Sequence, residues 1–466
     1  MTRLVFCFDG TWNRLDAQNP TNVVLTAESV LPSPPDGVKQ LIFYDEGVGS
    51  DPRERLSGGM FGAGLVRNLA DAYRFLIFNY TPGDDIFVFG FSRGAFTARS
   101  FCGLLANCGV LRRRDAAKSV EAISLYQSRL DDTDPASERM LQWRAKHSPE
   151  VCVDDREDAW RVGKVDGHVA GSAPRLSVRF LGLWDTVGSL GFPDRYKALA
   201  VFDRRHLYHD IDLKPFIRAG RHAVAIDERR LDFAPTLWEG VDDLNRAAGF
   251  DIEAGDAPYR QKWFPGDHGS VGGGGNLRSL SDQALEWVWD GARGAGLTLD
   301  LARHSRAFEL SPSHREALVN MDYDREGAKK GLMTGLMGLL RANDRKPGPA
   351  TLYEVDISAR RRWKDLPGNL KGGKPYRPRT LTGVAAALDA LKPEALGLAL
   401  IETKAEPGSF DLYEVVPGDT LGKIARKAYG DARLYPLIMA ANAHQIVDPN
   451  RIYAGRVLRI PHRAPG

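Results

Sequence analysis

The sequence predicts an α/β fold, a doubly wound and mostly parallel sheet with helical insertions, followed by a small βααβ unit. Short apolar runs, "LVFCF" (4–8), "QLIFYD" (40–45) and "DDIFVFGF" (84–91), alternate with segments of helical periodicity. This alternation is typical of parallel strands covered by helices on both faces. At 466 residues the chain is also too long for one ordinary domain.

Each element follows from its local pattern. Apolar residues recur at helical spacing in "FGAGLVRNLADAYRFLIFNY" (61–80), and "GAFTARSFCGLLANCG" (94–109) is a second helix that ends on glycine. Residues 111–170 are polar, charged and helix-prone, which predicts a helical insertion or cap. The strand pattern returns in "RLSVRFLGLWD" (175–185).

Composition shifts divide the chain in two. A large α/β domain is expected over 1–400, a linker over 401–411 where charge gives way to Pro-Gly-Ser, and a small domain over 412–462.

Charge and cysteine usage exclude several classes of function. A net charge of +3 gives no basis for a nucleic-acid partner. The four cysteines form no CxxC pair and are expected as buried hydrophobes in a reducing compartment. We expect no cofactor and no metal ion, although Asp9 and Asp45 follow or end neighbouring strands and could approach each other.

The N-terminus "MTRLVFCFDG" lacks the long apolar run of a signal peptide, and no stretch reaches the roughly 20 apolar residues of a membrane span. The protein is therefore expected to be cytoplasmic as synthesised. Action in the periplasm or cell envelope would require a dedicated secretion system.

The stretch "FVFGFSRGAF" (87–96) places Ser92 in a G-x-S-x-G motif between a strand and a helix. That context suits a nucleophile on a sharp turn, with Gly90 and Gly94 allowing the strand and helix to approach. The alternative is an ordinary turn serine.

A nucleophilic serine needs an imidazole base and a carboxylate that orients it. Asp185 ends a strand, and His268 lies in the turn-rich loop "WFPGDHGSVGGGG". Asp227 is the second candidate acid, although it could join an ion-pair cluster with Arg229 and Arg230.

His222 is the alternative base, but "AGRHAVAI" resembles the start of a helix. Backbone donors for an oxyanion are expected at Arg93 and at Gly10 or Thr11, unless "DGTWN" is a plain Asp-Gly turn.

Ordered motifs then point to a family. These are "FCFDGTWN", "YDEGVGS", "GFSRGAFTAR", "GLWDTVG", "RHAVAIDERR", "WFPGDHGSVGGG" followed by "LSDQALEWV", and "KPYRPRTL". Together they resemble the α/β-hydrolase family that contains the type VI secretion lipase effectors of the first class, over residues 1–385.

This resemblance implies an α/β-hydrolase domain that cleaves phospholipid acyl esters with Ser92, Asp185 and His268. The chain departs from the family after the histidine, where Gly269, Ser270 and Gly275 replace serine, aspartate and tyrosine.

The segment "GLMTGLMGLL" (331–340), flanked by basic residues, is too short to span a bilayer. It could contact a membrane surface, form a lid or be a buried helix.

The last segment, 413–461, resembles a LysM module, with the opening "V-x-x-G-D-T-L" and the close "L-x-I-P". The resemblance implies binding of peptidoglycan or another N-acetylglucosamine glycan. The residues expected to line the groove are Gly418, Asp419, Thr420, Leu421, Ala441, Asn442 and Ile452. The alternative is a docking or spacer domain.

The leading hypothesis is thus a serine esterase acting on phospholipids, with a glycan-binding tail. The alternatives are an esterase on small or cell-envelope acyl esters, and a non-catalytic envelope-binding protein on a hydrolase scaffold.

Overall fold

The structure is a computed structural model. It describes residues 1–10, 19–47, 60–128, 130–188, 213, 215–230, 233–251, 257–275, 277–300, 312–318, 345, 348–396, 410–416, 418–442, 446, 449, 452 and 457–461. Thr11, the segment 331–340 and most of the expected linker lie outside these residues.

Within the described residues, the first part of the chain forms a six-stranded sheet in which every neighbouring pair is parallel. The strand order is β2-β1-β3-β4-β5-β6. The strands are β1 (Arg3–Phe8), β2 (Gln40–Asp45), β3 (Asp85–Phe91), β4 (Val178–Trp184), β5 (Gly220–Ala225) and β6 (Tyr259–Phe264). The predicted α/β class with a parallel sheet is confirmed.

Helices cover both faces of this sheet. On β1, Leu4, Phe6 and Phe8 enter one apolar cluster, whereas Val5 and Cys7 enter the other. Strand side chains alternate between faces, so a strand buried on both sides must be apolar throughout. The first cluster is closed by α2 (Met60–Asn79) and α3 (Arg93–Cys108), and the second by α1 (Asn22–Ser29) and α9 (Ser279–Gly294).

One sequence expectation is wrong here. The segment around His222 is not the start of a helix but strand β5, paired with β4 and β6. Its side chains from His222 to Ala225 are all buried. Its small residues Ala223 and Ala225 enter the apolar cluster that α9 closes.

Residues 111–170 are helical, as expected. They include α4 (Ser119–Gln127), α5 (Glu138–His147) and α6 (Asp155–Lys164). Asn107 and Gly109, at the C-terminal end of α3, contact this region through Thr133, Arg144 and Ser148. Ser92 precedes the opposite end of α3.

The remaining helices of the large unit are α7 (Val241–Ala247), α8 (His268–Gly272), α10 (Ile357–Lys364) and α11 (Ala385–Ala390). All four cysteines are free and buried, as expected. In the part of the chain that the structure describes, no helix is long and apolar enough to cross a membrane.

The C-terminal unit has the predicted βααβ order. Strands β7 (Phe410–Glu414) and β8 (Val457–Pro461) pair antiparallel, and between them lie α12 (Leu421–Tyr429) and α13 (Tyr435–Ala441). Its own apolar core includes Val415, Ile424, Ile438 and Leu458. Thr420 caps α12 by accepting from the Lys423 amide, and Gly430 ends it at φ 77°.

Candidate active site

Ser92 occupies a strained turn between β3 and α3. Its φ of 59° and ψ of −124° are unusual for a residue with a side chain. A Cβ on Gly90 would lie 2.6 Å from the Ala95 Cα, and one on Gly94 would lie 2.2 Å from the Phe8 carbonyl oxygen. Both positions of the motif therefore require glycine, because strand and helix touch there.

The Ser92 side chain does not cap the helix that follows it. Its Oγ lies 2.8 Å from Nε2 of His268, and Nδ1 of His268 lies 2.6 Å from Oδ2 of Asp185. An ionised carboxylate only accepts hydrogen bonds, so Nδ1 carries the proton and Nε2 accepts from the serine. The structure thus brings together the three residues that the sequence selected, and their exposed fractions are 3% or less.

Asp185 is held in place from several sides. It adopts a φ of 39°, and its Oδ1 accepts from the Ala225 amide at 2.9 Å. Arg345 donates to both carboxylate oxygens, to Oδ2 at 2.8 Å. Burial acts to raise the pKa of Asp185, but Arg345 and then His268 outweigh it, so the pKa is well below its usual range. Asp185 is therefore a carboxylate at any ordinary pH.

The loop that carries His268 is fixed by packing. Asp267 caps the short helix α8 by accepting from the Ser270 amide. Gly272 lies against Phe91, whose ring would be 1.8 Å from a Cβ at that position. The rings of Phe91 and Phe233 lie 4.7 and 4.8 Å from the imidazole, centroid to centroid. The imidazole therefore has little freedom to turn away from Ser92.

The rival base His222 has other partners. Its Nε2 accepts from the Thr186 amide at 3.2 Å, and its Nδ1 lies 2.9 Å from the Gln261 side-chain oxygen. Burial, followed by the charge of Arg99, lowers the pKa of His222 to about 3. It is a neutral, hydrogen-bonded core residue.

The rival acid Asp227 accepts from the Gly266 amide and the Tyr376 hydroxyl, at 2.7 and 2.8 Å. Burial raises its pKa to about 6. The ion pair expected for Asp227 forms instead at its neighbour, because Arg230 binds Glu228 at 2.7 Å. Glu228 in turn accepts from the His268 amide at 3.2 Å.

The expected oxyanion donors lie at different places. Arg93 is the first residue of α3, directly after Ser92. The Gly10 amide donates to the Asp9 side chain at 2.7 Å, as in the Asp-Gly turn that was the alternative. Thr11 lies outside the described residues.

Two groups of side chains contain possible metal ligands. Asp9 already accepts from the Thr21 and Tyr44 hydroxyls, at 2.6 and 3.0 Å. Cys152, Asp158 and His168 bring ligand atoms within 4.8 Å of one another.

In that second group, Arg175 and the Gly171 amide both donate to the Asp158 carboxylate. A guanidinium competes directly with a cation for those oxygens, so we treat the group as an ion-pair network.

The residues expected to line a glycan groove differ in exposure. Gly418 and Thr420 are exposed, whereas Leu421 and Asn442 are 1% and 0% exposed. Asn442 donates to the carbonyls of Ile438 and Arg459 and accepts from the Arg459 amide. Its contacts join α13 to β8.

The other three groove residues are partly buried. Asp419 accepts from the Tyr413 hydroxyl and the Val416 amide, both at 3.0 Å. Ile452 packs against the small core, and Ala441 ends α13.

Comparison with known proteins places the chain. Residues 2–291 match the family described as the catalytic domain of Tle1-like phospholipase effectors of the type VI secretion system. The chain belongs to this family. Residues 413–461 match the LysM domain.

Individual relatives cover the chain in part. An uncharacterized protein of Saccharomyces cerevisiae is 28% identical over 245 residues, 49% of this chain and 32% of that protein. The chain thus spans about a third of the length of this relative.

An esterase of Mycobacterium tuberculosis is 55% identical over 51 residues, 11% of each chain. Because Ser92 and His268 are 176 residues apart, that match is too short to contain both. A solved structure of the Tle1 effector bound to the VgrG spike shares 15% identity, covers 67% of this chain and 77% of that one, and has a TM-score of 0.36.

Arg345 is the site residue that the sequence did not indicate. It contacts Asp185 across 160 residues of chain, from a segment with no recognisable motif. Its neighbours "RANDRKPGPA" (341–350) resemble a charged loop. No local signal distinguishes this arginine from the others.

Proposed function

We propose that this protein is a serine esterase of the α/β-hydrolase fold that cleaves acyl esters of phospholipids through Ser92, His268 and Asp185. The observation that carries the proposal is the continuous hydrogen-bonded chain from the Ser92 hydroxyl to the Asp185 carboxylate. Serine is a weak nucleophile alone, and this chain supplies the base that it needs.

In the proposed reaction, His268 Nε2 takes the Ser92 proton while Oγ attacks the ester carbonyl. The negative charge that develops on the carbonyl oxygen is stabilised by the Arg93 amide, at the positive end of the α3 dipole. His268 then gives its proton to the departing alcohol, which leaves an acyl group on Ser92. A water molecule, deprotonated by His268, removes that acyl group.

Asp185 holds the Nδ1 proton and balances the imidazolium that forms in each step. The strained backbone of Ser92 supports its role as the nucleophile, since such strain persists where function requires it. The changes at Gly269, Ser270 and Gly275 do not oppose it, because the Ser270 amide still donates to Asp267 at 2.8 Å and α8 keeps its cap.

Phospholipid as substrate rests on the family. The LysM unit adds a second part to the proposal, binding of peptidoglycan or a related N-acetylglucosamine glycan through the exposed residues Gly418 and Thr420. Leu421 and Asn442 would support that surface from within the module. Delivery to a periplasm or cell envelope by a secretion system would bring the phospholipid substrate and the glycan ligand within reach.

A fluorophosphonate probe tests the nucleophile. We expect one covalent adduct, mapped by mass spectrometry to the peptide containing Ser92, and none in Ser92→Ala. Labelling elsewhere, or equal labelling of the variant, would contradict the mechanism and favour the non-catalytic alternative.

Substrate class is tested separately. Fatty-acid release from phosphatidylglycerol vesicles is compared with hydrolysis of short p-nitrophenyl esters. Activity on the short esters alone would favour the small-ester alternative while leaving the mechanism intact.

A further inference from the structure

A cavity of about 290 Å³ lies beside the loop that carries His268. Its lining includes Arg362, Lys371, Lys374 and Arg377, together with Tyr376 and Asp227. We name it the basic pocket. Much of its wall comes from "KPYRP" (374–378), part of a motif to which the esterase mechanism assigns no role.

Arg362 gives the basic pocket a fixed positive charge. It is 2% exposed, and its guanidinium donates to the carbonyls of His314 and Glu316, at 2.5 and 2.6 Å. Its guanidinium carbon lies 5.2 Å from the centre of the Tyr376 ring. Its Nε is buried and has no hydrogen-bond partner among the described residues. A buried charge is only weakly screened by water, so the Arg362 guanidinium acts on an anion in the pocket even without direct contact.

The other cations surround this buried group. Arg377 is anchored by the carbonyls of Trp363 and Tyr376, at 2.7 and 2.8 Å. Lys371 binds Glu316 at 2.6 Å, and both Lys371 and Lys374 are exposed to solvent. The prolines on both sides of Tyr376 and Arg377 fix their own φ angles and limit the backbone reorganisation that binding would require.

One carboxylate, Asp227, is among the lining residues. It already accepts from the Gly266 amide and the Tyr376 hydroxyl. Both bonds offset part of its negative charge. Lys371 and Arg377 have carboxylate partners of their own, Glu316 at 2.6 Å and Asp389 at 4.0 Å. Among the described residues the four cations still outnumber these three carboxylates, and the balance of charge favours an anion.

The pocket is linked to the proposed active site. Gly266 is two residues before His268, and Leu318, which also lines the pocket, accepts from the Asp267 amide and the Ser270 hydroxyl. Leu318 thus belongs both to the wall of the pocket and to the contacts that support the His268 loop.

We propose that the basic pocket binds a phosphate-class oxyanion. Guanidinium and ammonium groups are the usual protein partners of tetrahedral oxyanions, with arginine supplying directional donors and lysine a mobile charge. The anion is either the head-group phosphate of a lipid or free phosphate. Only the first source rests on the proposed esterase function.

Binding is tested with the full chain, using sulfate and inorganic phosphate as probes. Isothermal titration at constant ionic strength, with chloride as the reference salt, should give saturable binding of both. Lys374→Glu should weaken binding roughly tenfold by reversing one charge at the rim. Lys392→Glu makes the same change at an exposed lysine outside the pocket and should match the parent.

Two readouts then separate the sources. If the pocket holds the head group, Lys374→Glu should raise KM for phosphatidylglycerol but not for p-nitrophenyl butyrate, and free phosphate should compete with the lipid. If it holds free phosphate, both KM values should be unchanged and only the titration should respond.

The inference is overturned if neither anion binds saturably, or if Lys374→Glu and Lys392→Glu bind like the parent. The titration needs no catalysis. A protein that binds sulfate but hydrolyses no ester would therefore contradict the proposed esterase function and leave the anion site supported.

Discussion

Arg345 forms a buried two-pronged ion pair with Asp185, the carboxylate that also receives the Nδ1 proton of His268. Both side chains are almost fully buried, at 3% and 0% exposure. Arg345 also donates to the Ala225 and Phe233 carbonyls, so it joins the acid to the ends of two other segments. The carboxylate is thereby oriented and kept charged.

Arg345→Gln is expected to lower kcat/KM on a short p-nitrophenyl ester by roughly 10- to 100-fold, because the acid is no longer held in position. Arg345 is the largest of the causes that lower the pKa of Asp185, so its loss should raise that pKa. The acid limb of the kcat/KM profile should therefore move to higher pH.

Arg345→Lys is the companion variant. Lysine keeps the positive charge but cannot reproduce the two-pronged guanidinium contact with the carboxylate. Its kcat/KM should therefore fall, while the acid limb of the pH profile stays near that of the parent. A purely structural role for Arg345 predicts no movement of the pH profile in either variant.

The strain at Ser92 predicts an unusual order of stability. Ser92→Gly and Ser92→Ala should both be inactive, but glycine tolerates the φ of 59° without cost. The free energy of unfolding of Ser92→Gly should exceed that of Ser92→Ala by about 1 kcal/mol. Urea denaturation measures this difference.

Ser100, in the interior of α3, provides the control. Alanine should be the more stable replacement there, by about 1 kcal/mol, as in any helix interior. The same order at both positions would mean that the turn at Ser92 is not strained.

The contact of Gly272 with Phe91 predicts a sharp steric effect. Gly272→Ala places a methyl group 1.8 Å from the Phe91 ring, which itself packs on His268. We expect a cost of about 1–3 kcal/mol in the free energy of unfolding and a marked loss of kcat. Gly294→Ala meets no heavy atom within 4 Å and should be neutral or stabilising. Equal behaviour of the two variants would contradict the packing described for α8.

Asp227 predicts a pH dependence of stability. Its pKa is raised by burial from 3.8 to about 6, so the folded protein binds its proton more tightly than the unfolded chain. The stability from this proton is fully present below about pH 4 and is lost as the pH rises through about 6.

In Asp227→Asn the proton cannot be lost. Relative to this variant, the parent should lose on the order of 3 kcal/mol between pH 4 and 7. Urea denaturation at several pH values measures this loss. If the free energy of unfolding changed equally with pH in the two proteins, Asp227 would not titrate in this range.

In the C-terminal unit, Asn442→Ala removes two hydrogen bonds that join α13 to Arg459 of β8, and a third to the Ile438 carbonyl within α13. The expected cost is about 2–3 kcal/mol. Loss of glycan binding should then accompany loss of the fold by circular dichroism. Thr420→Ser, which keeps the cap of α12, should leave the fold unchanged. Binding lost in a folded Asn442→Ala protein would instead assign Asn442 a direct contact.

Local pattern was sufficient for most elements of the sheet. A strand buried on both faces must be apolar at every position, and β1 and β3 are recognisable for that reason. Local pattern did not predict β5, because its arginine, histidine and alanines do not form the apolar run of a buried strand. The Arg221 side chain lies against Trp287 and the buried His222 is hydrogen-bonded, and neither partner is visible in the strand's own sequence.

The sequence by itself determined the class of fold and the strand–turn–helix around Ser92, and it indicated Asp185 and His268 ahead of Asp227 and His222, because strand ends and glycine turns leave local signatures. Only the tertiary structure decided that these residues meet within hydrogen-bond distance, that Gly10 donates to Asp9, and that Arg345 forms an ion pair with the Asp185 carboxylate. Those are contacts between segments distant along the chain, and they follow from how helices and loops pack over a shared sheet edge, which no local window contains.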